Sequence, residues 1–369
     1  MIVRTKDKIT TPQAIIIVIN YIVAVGILTL PRTTVEQIQT PDAWIAVIIG
    51  GLIAMIAGVI IVKISQRFPE KTFFQYSQEL VGKWLGMFLS LLIIGYFLLS
   101  TGNQVRSLAA VTELYLLNET PIWAITLPFM WIGLYLIIGG INPLTRLFEI
   151  IFPITIIIFL LVTSLSFGVF EIDNLRPVLG LGVKPVLDGI KTTALAFTGF
   201  EIMFIIVAFM KHPNQAVKVV LVGISIPLLF YVITVVMVIG ALSVDGVTLR
   251  TWPTLDLMRT YEITGLIFER FESLLLVIWI MQIFATFTIT YYSAALGLSQ
   301  LFQKNIRLFM YGLMPVIYLI AIIPKTTNDL FKIGDLIGNI ALGLFGVLPL
   351  LLLIFLRLKD GKKKIDVQP

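Results

Sequence analysis

Apolar residues fill this chain in ten stretches of about twenty, separated by short polar segments. An α-helix needs about twenty such residues to cross ~30 Å of hydrocarbon. The pattern therefore predicts spans at 12–31, 42–62, 86–116, 121–139, 147–168, 192–210, 219–241, 271–300, 308–323 and 335–356. The third and eighth exceed what a bilayer requires and are expected to tilt or to project beyond the lipid. Five spans on each side of the middle give the two halves opposite topology, the geometry of an inverted repeat, with halves at about 12–168 and 192–356. The expected fold is an all-α polytopic membrane protein, a single transmembrane domain over 1–369 with outer loops at 169–191 and 242–270.

Two spans carry a flaw in the same relative place. The first reads Asn20-Tyr-Ile-Val-Ala-Val-Gly-Ile-Leu-Thr-Leu-Pro31, and the sixth Ala194-Leu-Ala-Phe-Thr-Gly-Phe-Glu-Ile-Met203. Glycine, a hydroxyl and a carboxylate at mid-membrane depth predict broken helices 1 and 6 flanking a ligand site. In helix 1, Gly26 removes a side chain and Pro31 marks the outer end. An unwound turn over Ala24, Val25, Gly26, Ile27 and Leu28 would aim free N–H groups at an anionic group. Gly26 serves equally to let helices pack closely. In helix 6, Phe197, Thr198, Gly199 and Glu201 fall together. A carboxylate at that depth costs roughly 3 kcal/mol or more unless protonated, paired or wet, so Glu201 is a functional candidate. Its alternative role is structural, bonding amides freed by the break.

Composition agrees with the pattern. The chain is 58% hydrophobic and 13% charged, where soluble domains carry about 25% charged residues. It has no cysteine and one histidine, His212, which removes thiolate chemistry and leaves no basis for a metal centre, a cofactor or a catalytic triad. The +6 net charge is no sign of nucleic acid, because the basic residues cluster at helix ends. They also orient the chain. With the N-terminus inside, 17 of the 27 lysines and arginines lie in cytoplasmic segments and nine outside, which predicts cytoplasmic termini. Lys359 and Lys362 to Lys364 are placed to meet anionic lipid.

Helix 3 carries Ser100, Asn103, Gln104, Arg106, Ser107 and Glu113. Arg106 and Glu113 share a face two turns apart, so Arg106 has three candidate partners: Glu113, a carboxylate of another helix, or the carboxylate of an entering amino acid. Helix 8 offers Gln282, Thr286, Thr288 and Thr290, of which one or two can face a cavity. Tyr96, Tyr291 and Tyr292 read as packing or interfacial residues.

Gly26-Ile-Leu-Thr-Leu-Pro31 and Phe197-Thr-Gly-Phe-Glu201 resemble the amino acid–polyamine–organocation transporter superfamily, as does Lys63-Ile-Ser-Gln-Arg-Phe-Pro69 with the following Phe74-Gln-Tyr-Ser-Gln-Glu-Leu-Val-Gly82. Three further segments are similar to the B-subunit family of spore germinant receptors: Leu30-Pro-Arg-Thr33, Ile172-Asp-Asn-Leu-Arg-Pro-Val-Leu-Gly180, and Gly265-Leu-Ile-Phe-Glu-Arg-Phe-Glu-Ser-Leu-Leu-Leu-Val-Ile-Trp-Ile280. The resemblance implies the five-plus-five, leucine-transporter-like fold. It also implies a spore inner-membrane subunit that senses a small-molecule nutrient, usually an amino acid, and signals to A and C partner subunits. Ala24 and Val25 depart from the superfamily, whose transporters usually have a glycine and a small hydroxyl residue there. Two functions follow as expectations: a sensor binding its ligand between helices 1, 3, 6 and 8, or a proton-coupled permease using the same pocket. No constellation for an enzyme is present.

Overall fold

A backbone in hydrocarbon has no water to bond, so apolar runs of this length are forced into helices that satisfy their own N–H and C=O groups. The computed structural model describes residues 8–117, 119–259 and 272–365 and is predominantly helical. In chain order the α-helices are α1 Thr11–Ile38, α2 Ala43–Ser65, α3 Phe73–Val81, α4 Lys83–Tyr115, α5 Ile122–Ile138, α6 Ile141–Ser166, α7 Lys184–Ala196, α8 Met203–Ile206, α9 Ala216–Thr248, α10 Pro253–Arg259, α11 Glu272–Phe302, α12 Ile306–Ile322, α13 Thr327–Ala341 and α14 Leu348–Ile365. Among the described residues six helical stretches are long and apolar enough to cross a membrane, or eight if each of two bent pairs is one span. Two shorter apolar helices, α5 and α12, have 17 residues each.

The core is built around α1, which packs on α9, α11, α7 and α6 and is buried along most of its length. The long α4 lies against α11, α12, α13 and α5. Its 33 residues span about 50 Å at 1.5 Å per residue, more than the ~30 Å of hydrocarbon, so it projects or tilts as its sequence predicts. Leu52 and Ile56 of α2 and Ile157 and Leu160 of α6 face outward, fully apolar and exposed, as lipid-facing positions are.

Several boundaries differ from the sequence expectation. Pro31 does not end helix 1; α1 continues to Ile38. Proline supplies no N–H to the carbonyl four residues back, and here the hydroxyl of Thr254 donates to that carbonyl, Ile27 O, at 3.1 Å. Nor is the turn over Ala24 to Leu28 unwound. Helical hydrogen bonding runs through it, and α1 instead bends by 51° between Thr11–Ala24 and Gly26–Ile38. The second flawed span does lose its helix: α7 stops at Ala196, Gly199 sits at φ +137°, and the chain resumes at Phe200 in short helical turns inclined 45° to α7. Much of the outer segment 242–270 is helical, in the end of α9 and in α10, with residues 260–271 outside the described set. The last helix is longer than predicted, Thr327 to Ile365, with a π-helical stretch at Leu342–Val347.

One end of the bundle is stitched by the N-terminal segment. Ile9 N–H donates to Phe209 O (2.8 Å) and Lys211 N–H to Ile9 O (2.9 Å), a parallel bridge between Ile9 and Met210. The Thr11 hydroxyl reaches Gln215 at 2.7 Å, and Gln66 reaches Pro213 O at 2.7 Å.

Candidate functional site

From the middle of α1 a cavity of about 610 Å³ runs to the bundle end opposite that stitch, a volume ordinary for a small-molecule site. Its walls are α1, α4, α7, α11 and α13. Gln37, Asp188 and Asp335 stand exposed at its mouth, with Lys191 beside them. Tyr21, Ile22 and Tyr96 line its inner end.

The bend of α1 forms the inner wall, and hydroxyls from three other segments hold it. Thr286 of α11 donates to Tyr21 O (3.2 Å) and Asn20 O (3.4 Å). Tyr231 of α9 donates to Ile22 O at 2.5 Å, and Thr254 of α10 caps Ile27 O as described. Carbonyls weakened by a bend need such donors, because a bare C=O in an apolar interior is expensive. Gly26 is required here in a specific sense: a Cβ on it would overlap the Tyr231 hydroxyl and ring.

Behind the inner end lies Glu201, with no exposed surface. Its Oε1 accepts from Tyr21 Oη (3.0 Å) and Tyr96 Oη (2.8 Å), and its Oε2 from the Gly199 N–H (2.5 Å). Three donors thus converge on one fully buried carboxyl group, which gives each of them a partner in an apolar interior. They join α1, α4 and the interrupted segment after α7 in a single knot. Gly199 is glycine by necessity: φ +137° is a region that side chains rarely enter, and a Cβ would stand 2.7 Å from Ile22 Cγ1.

Of the residues the sequence nominated, Ala24, Gly26, Thr198 and Thr286 line the cavity. Thr198 spends its hydroxyl on Leu195 O at 2.9 Å. Glu201 is walled off from the cavity by Tyr21 and Tyr96. Phe197 is buried against the Tyr231 ring, centroids 5.2 Å apart, and Ile27 is buried on the other face of α1 beside Thr254 and Thr234. The Val25 side chain lies outside the described residues. Arg106 corrects the expectation most plainly. It is buried, donates from Nη2 to Lys325 O at 3.1 Å, and takes no part in the cavity wall. Two residues beyond Gln104 on a helix is a turn of about 200°, so Arg106 points the opposite way.

What the sequence reading undervalued is the other face of α4. Tyr96, Ser100, Asn103 and Gln104 all line the cavity. Their spacing of i, i+4, i+7 and i+8 is one helical stripe, and that periodicity within an apolar helix was the available signal. Tyr96, expected to be a packing residue, is a wall of the site and a ligand of Glu201. The mouth residues Asp188, Lys191 and Asp335 carry no such signal.

Comparison with known proteins places this geometry in context. A protein-family model described as spore germination protein matches residues 8–330. Spore germination protein YndE of Bacillus subtilis (strain 168) is 57% identical over 358 residues, 97% of this chain and 99% of that protein. Spore germination protein A2 of the same organism is 36% identical over 96% of this chain and 97% of its own length. Among solved structures, MhsT in complex with L-phenylalanine superposes with a TM-score of 0.68 at 11% identity, covering 94% of this chain and 95% of that one. MHP1, a nucleobase-cation-symport-1 family transporter with bromovinylhydantoin bound, gives 0.66 at 15% identity, covering 94% and 78%. These two likenesses are of fold.

Proposed function

This chain belongs to the spore germination protein family, and on that premise we propose that it is the nutrient-sensing subunit of a germinant receptor. On this reading an amino acid enters the cavity from outside the spore inner membrane and binds near the bilayer midplane. Binding then shifts the chain between two conformations that A and C partner subunits read. A ligand can do so only by binding one conformation better than the other.

The observation that carries the reading is the joining of the cavity to the Gly199 turn. Tyr21 and Tyr96 line the inner end and hold Glu201, which holds the Gly199 N–H. A ligand pressing on the two tyrosines therefore acts on a place where a spanning segment loses its helix. The uncharged inner end, with the hydroxyl and amide groups of Ser100, Asn103 and Gln104 along α4, suits a small neutral zwitterion, and a solved neighbour of the same fold holds the amino acid L-phenylalanine. Among the described residues, counting each bent pair as one span and adding the shorter α5 and α12 supports a reading with ten spans, five per half, in which the bend of α1 and the Gly199 turn are matching breaks of an inverted repeat. The excess of lysine and arginine in alternate loops supports a reading with both termini in the cytoplasm.

The transporter fold supports one competing reading, a proton-coupled amino-acid permease. Uptake of a radiolabelled amino-acid panel by proteoliposomes holding only this chain separates the two. Saturable binding without accumulation is the expected result. Accumulation driven by a proton gradient would establish the permease, and neither binding nor uptake of any amino acid would overturn both.

A further inference from the structure

The connection between α6 and α7 exposes an unusual amount of apolar surface for a segment outside the spans. Leu181 is 74% exposed, Ile172 58%, Val183 55% and Val178 54%. Soluble surfaces rarely leave such a patch bare. The segment is also fastened down. Glu171 N–H donates to Gly240 O (3.0 Å), and the Asn174 side-chain amide donates to the same oxygen (2.8 Å). At its other end Leu179 N–H donates to the buried carboxylate of Asp42 at 2.8 Å. Leu179 is held at φ +53°, a conformation that a leucine occupies only when its surroundings impose it.

Those fastenings fix the height of the segment. Gly240 is the twenty-fifth residue of α9, about 36 Å from the start of that helix at 1.5 Å per residue. Asp42 immediately precedes α2, whose 23 residues span about 34 Å. Both distances exceed the ~30 Å hydrocarbon layer and fall within the ~40–45 Å that includes headgroups. The segment also continues a lipid-facing surface, since α6 presents Ile157 and Leu160 outward and runs through the exposed Phe167 directly into it. Charged groups stand around the patch: Arg176 is paired with Asp173 at 3.2 Å, and Lys184 begins α7. An apolar surface at headgroup height edged by snorkelling cations is the composition of an interfacial anchor.

We propose that the stretch from Ile172 to Val183, centred on Leu181, lies in the lipid itself, at the boundary of headgroups and acyl chains on the side away from the N-terminus. It holds the α6–α7 connection, and through Gly240 and Asp42 the outer ends of α9 and α2, at a fixed depth beside the cavity mouth.

The chain has no cysteine, so single labels are unambiguous. Leu181→Cys and, separately, Val183→Cys carry a nitroxide in phosphatidylcholine–phosphatidylglycerol vesicles. Leu160→Cys serves as the lipid-facing reference and Asn328→Cys, exposed at the start of α13, as the aqueous one. Power saturation should show the labels at 181 and 183 relaxed by oxygen and shielded from a water-soluble nickel chelate, with an oxygen-to-nickel ratio several-fold above that at 328. A ratio equal to that at 328 would place the patch in water as a face for a protein partner and overturn the proposal. Shielding from both reagents would bury it in the chain and overturn it equally. Agreement between the two positions guards against one variant misfolding.

Discussion

At the scale of single residues, the sequence singles out Glu201 as a functional candidate, with a structural role as its alternative. A carboxylate among apolar neighbours ten residues into a span is visible in one dimension. Its partners are not, because Tyr21 is 180 positions away and Tyr96 is 105. The structure makes Glu201 an acceptor for three donors, and this sets an expectation. Glu201→Ala leaves two tyrosine hydroxyls and the Gly199 N–H without their acceptor, and each unsatisfied buried donor costs about 1–3 kcal/mol. The variant should lose at least about 2 kcal/mol on that same scale and lose its response to the nutrient, while Glu201→Gln keeps one acceptor and suffers less. Detergent melting curves beside germination dose–response curves test this. Wild-type melting together with a normal response in Glu201→Ala would remove the knot from the mechanism. Arg106 teaches the converse: a charged residue in a span attracts notice, yet its turn of the helix decides whether it meets the cavity, and here Gln104 does.

At the scale of elements, helices were legible because hydropathy alone forces them, and their ends were less so. Pro31 reads as a stop in any single sequence. It is tolerated inside α1 because Thr254, 227 residues on, supplies the donor that its ring denies to Ile27 O. The bend of α1 is likewise distributed over α9, α10 and α11, whose hydroxyls hold its carbonyls. Gly26 is where that arrangement is tightest. Gly26→Ala should destabilise the fold because the new methyl overlaps the Tyr231 hydroxyl. Removing that hydroxyl with Tyr231→Phe should make the same substitution cheaper. The double-mutant cycle should therefore show a coupling in the range of about 0.5–3 kcal/mol. Additivity within about 0.3 kcal/mol would mean that α1 can move away and that the glycine serves some other purpose.

At the scale of the whole molecule, the asymmetry between the two ends of the bundle is the feature that bears on mechanism. The cavity reaches the surface between Gln37, Asp188 and Asp335, while the other end is shut by the Ile9–Met210 bridge, the Thr11–Gln215 bond and the Lys8–Glu70 ion pair at 2.9 Å. Ile9 has no exposed surface, and its peptide is bonded on both sides to the segment that follows the Gly199 turn. If a ligand acts by moving that segment, the bridge must yield, since rocking one half of such a fold against the other requires the closed end to open. The exposed ion pair contributes little, about 0–1 kcal/mol, so the backbone bridge and the buried Ile9 side chain carry the closure. In the cysteine-free background, Ile9→Cys with Met210→Cys can be joined by a short thiol bridge and released by reductant. The locked protein should still bind amino acid from the open side in proteoliposomes, yet spores carrying it should not germinate until the bridge is reduced. A locked variant that responds like the unlocked one would mean that the signal leaves the molecule without any movement at this end.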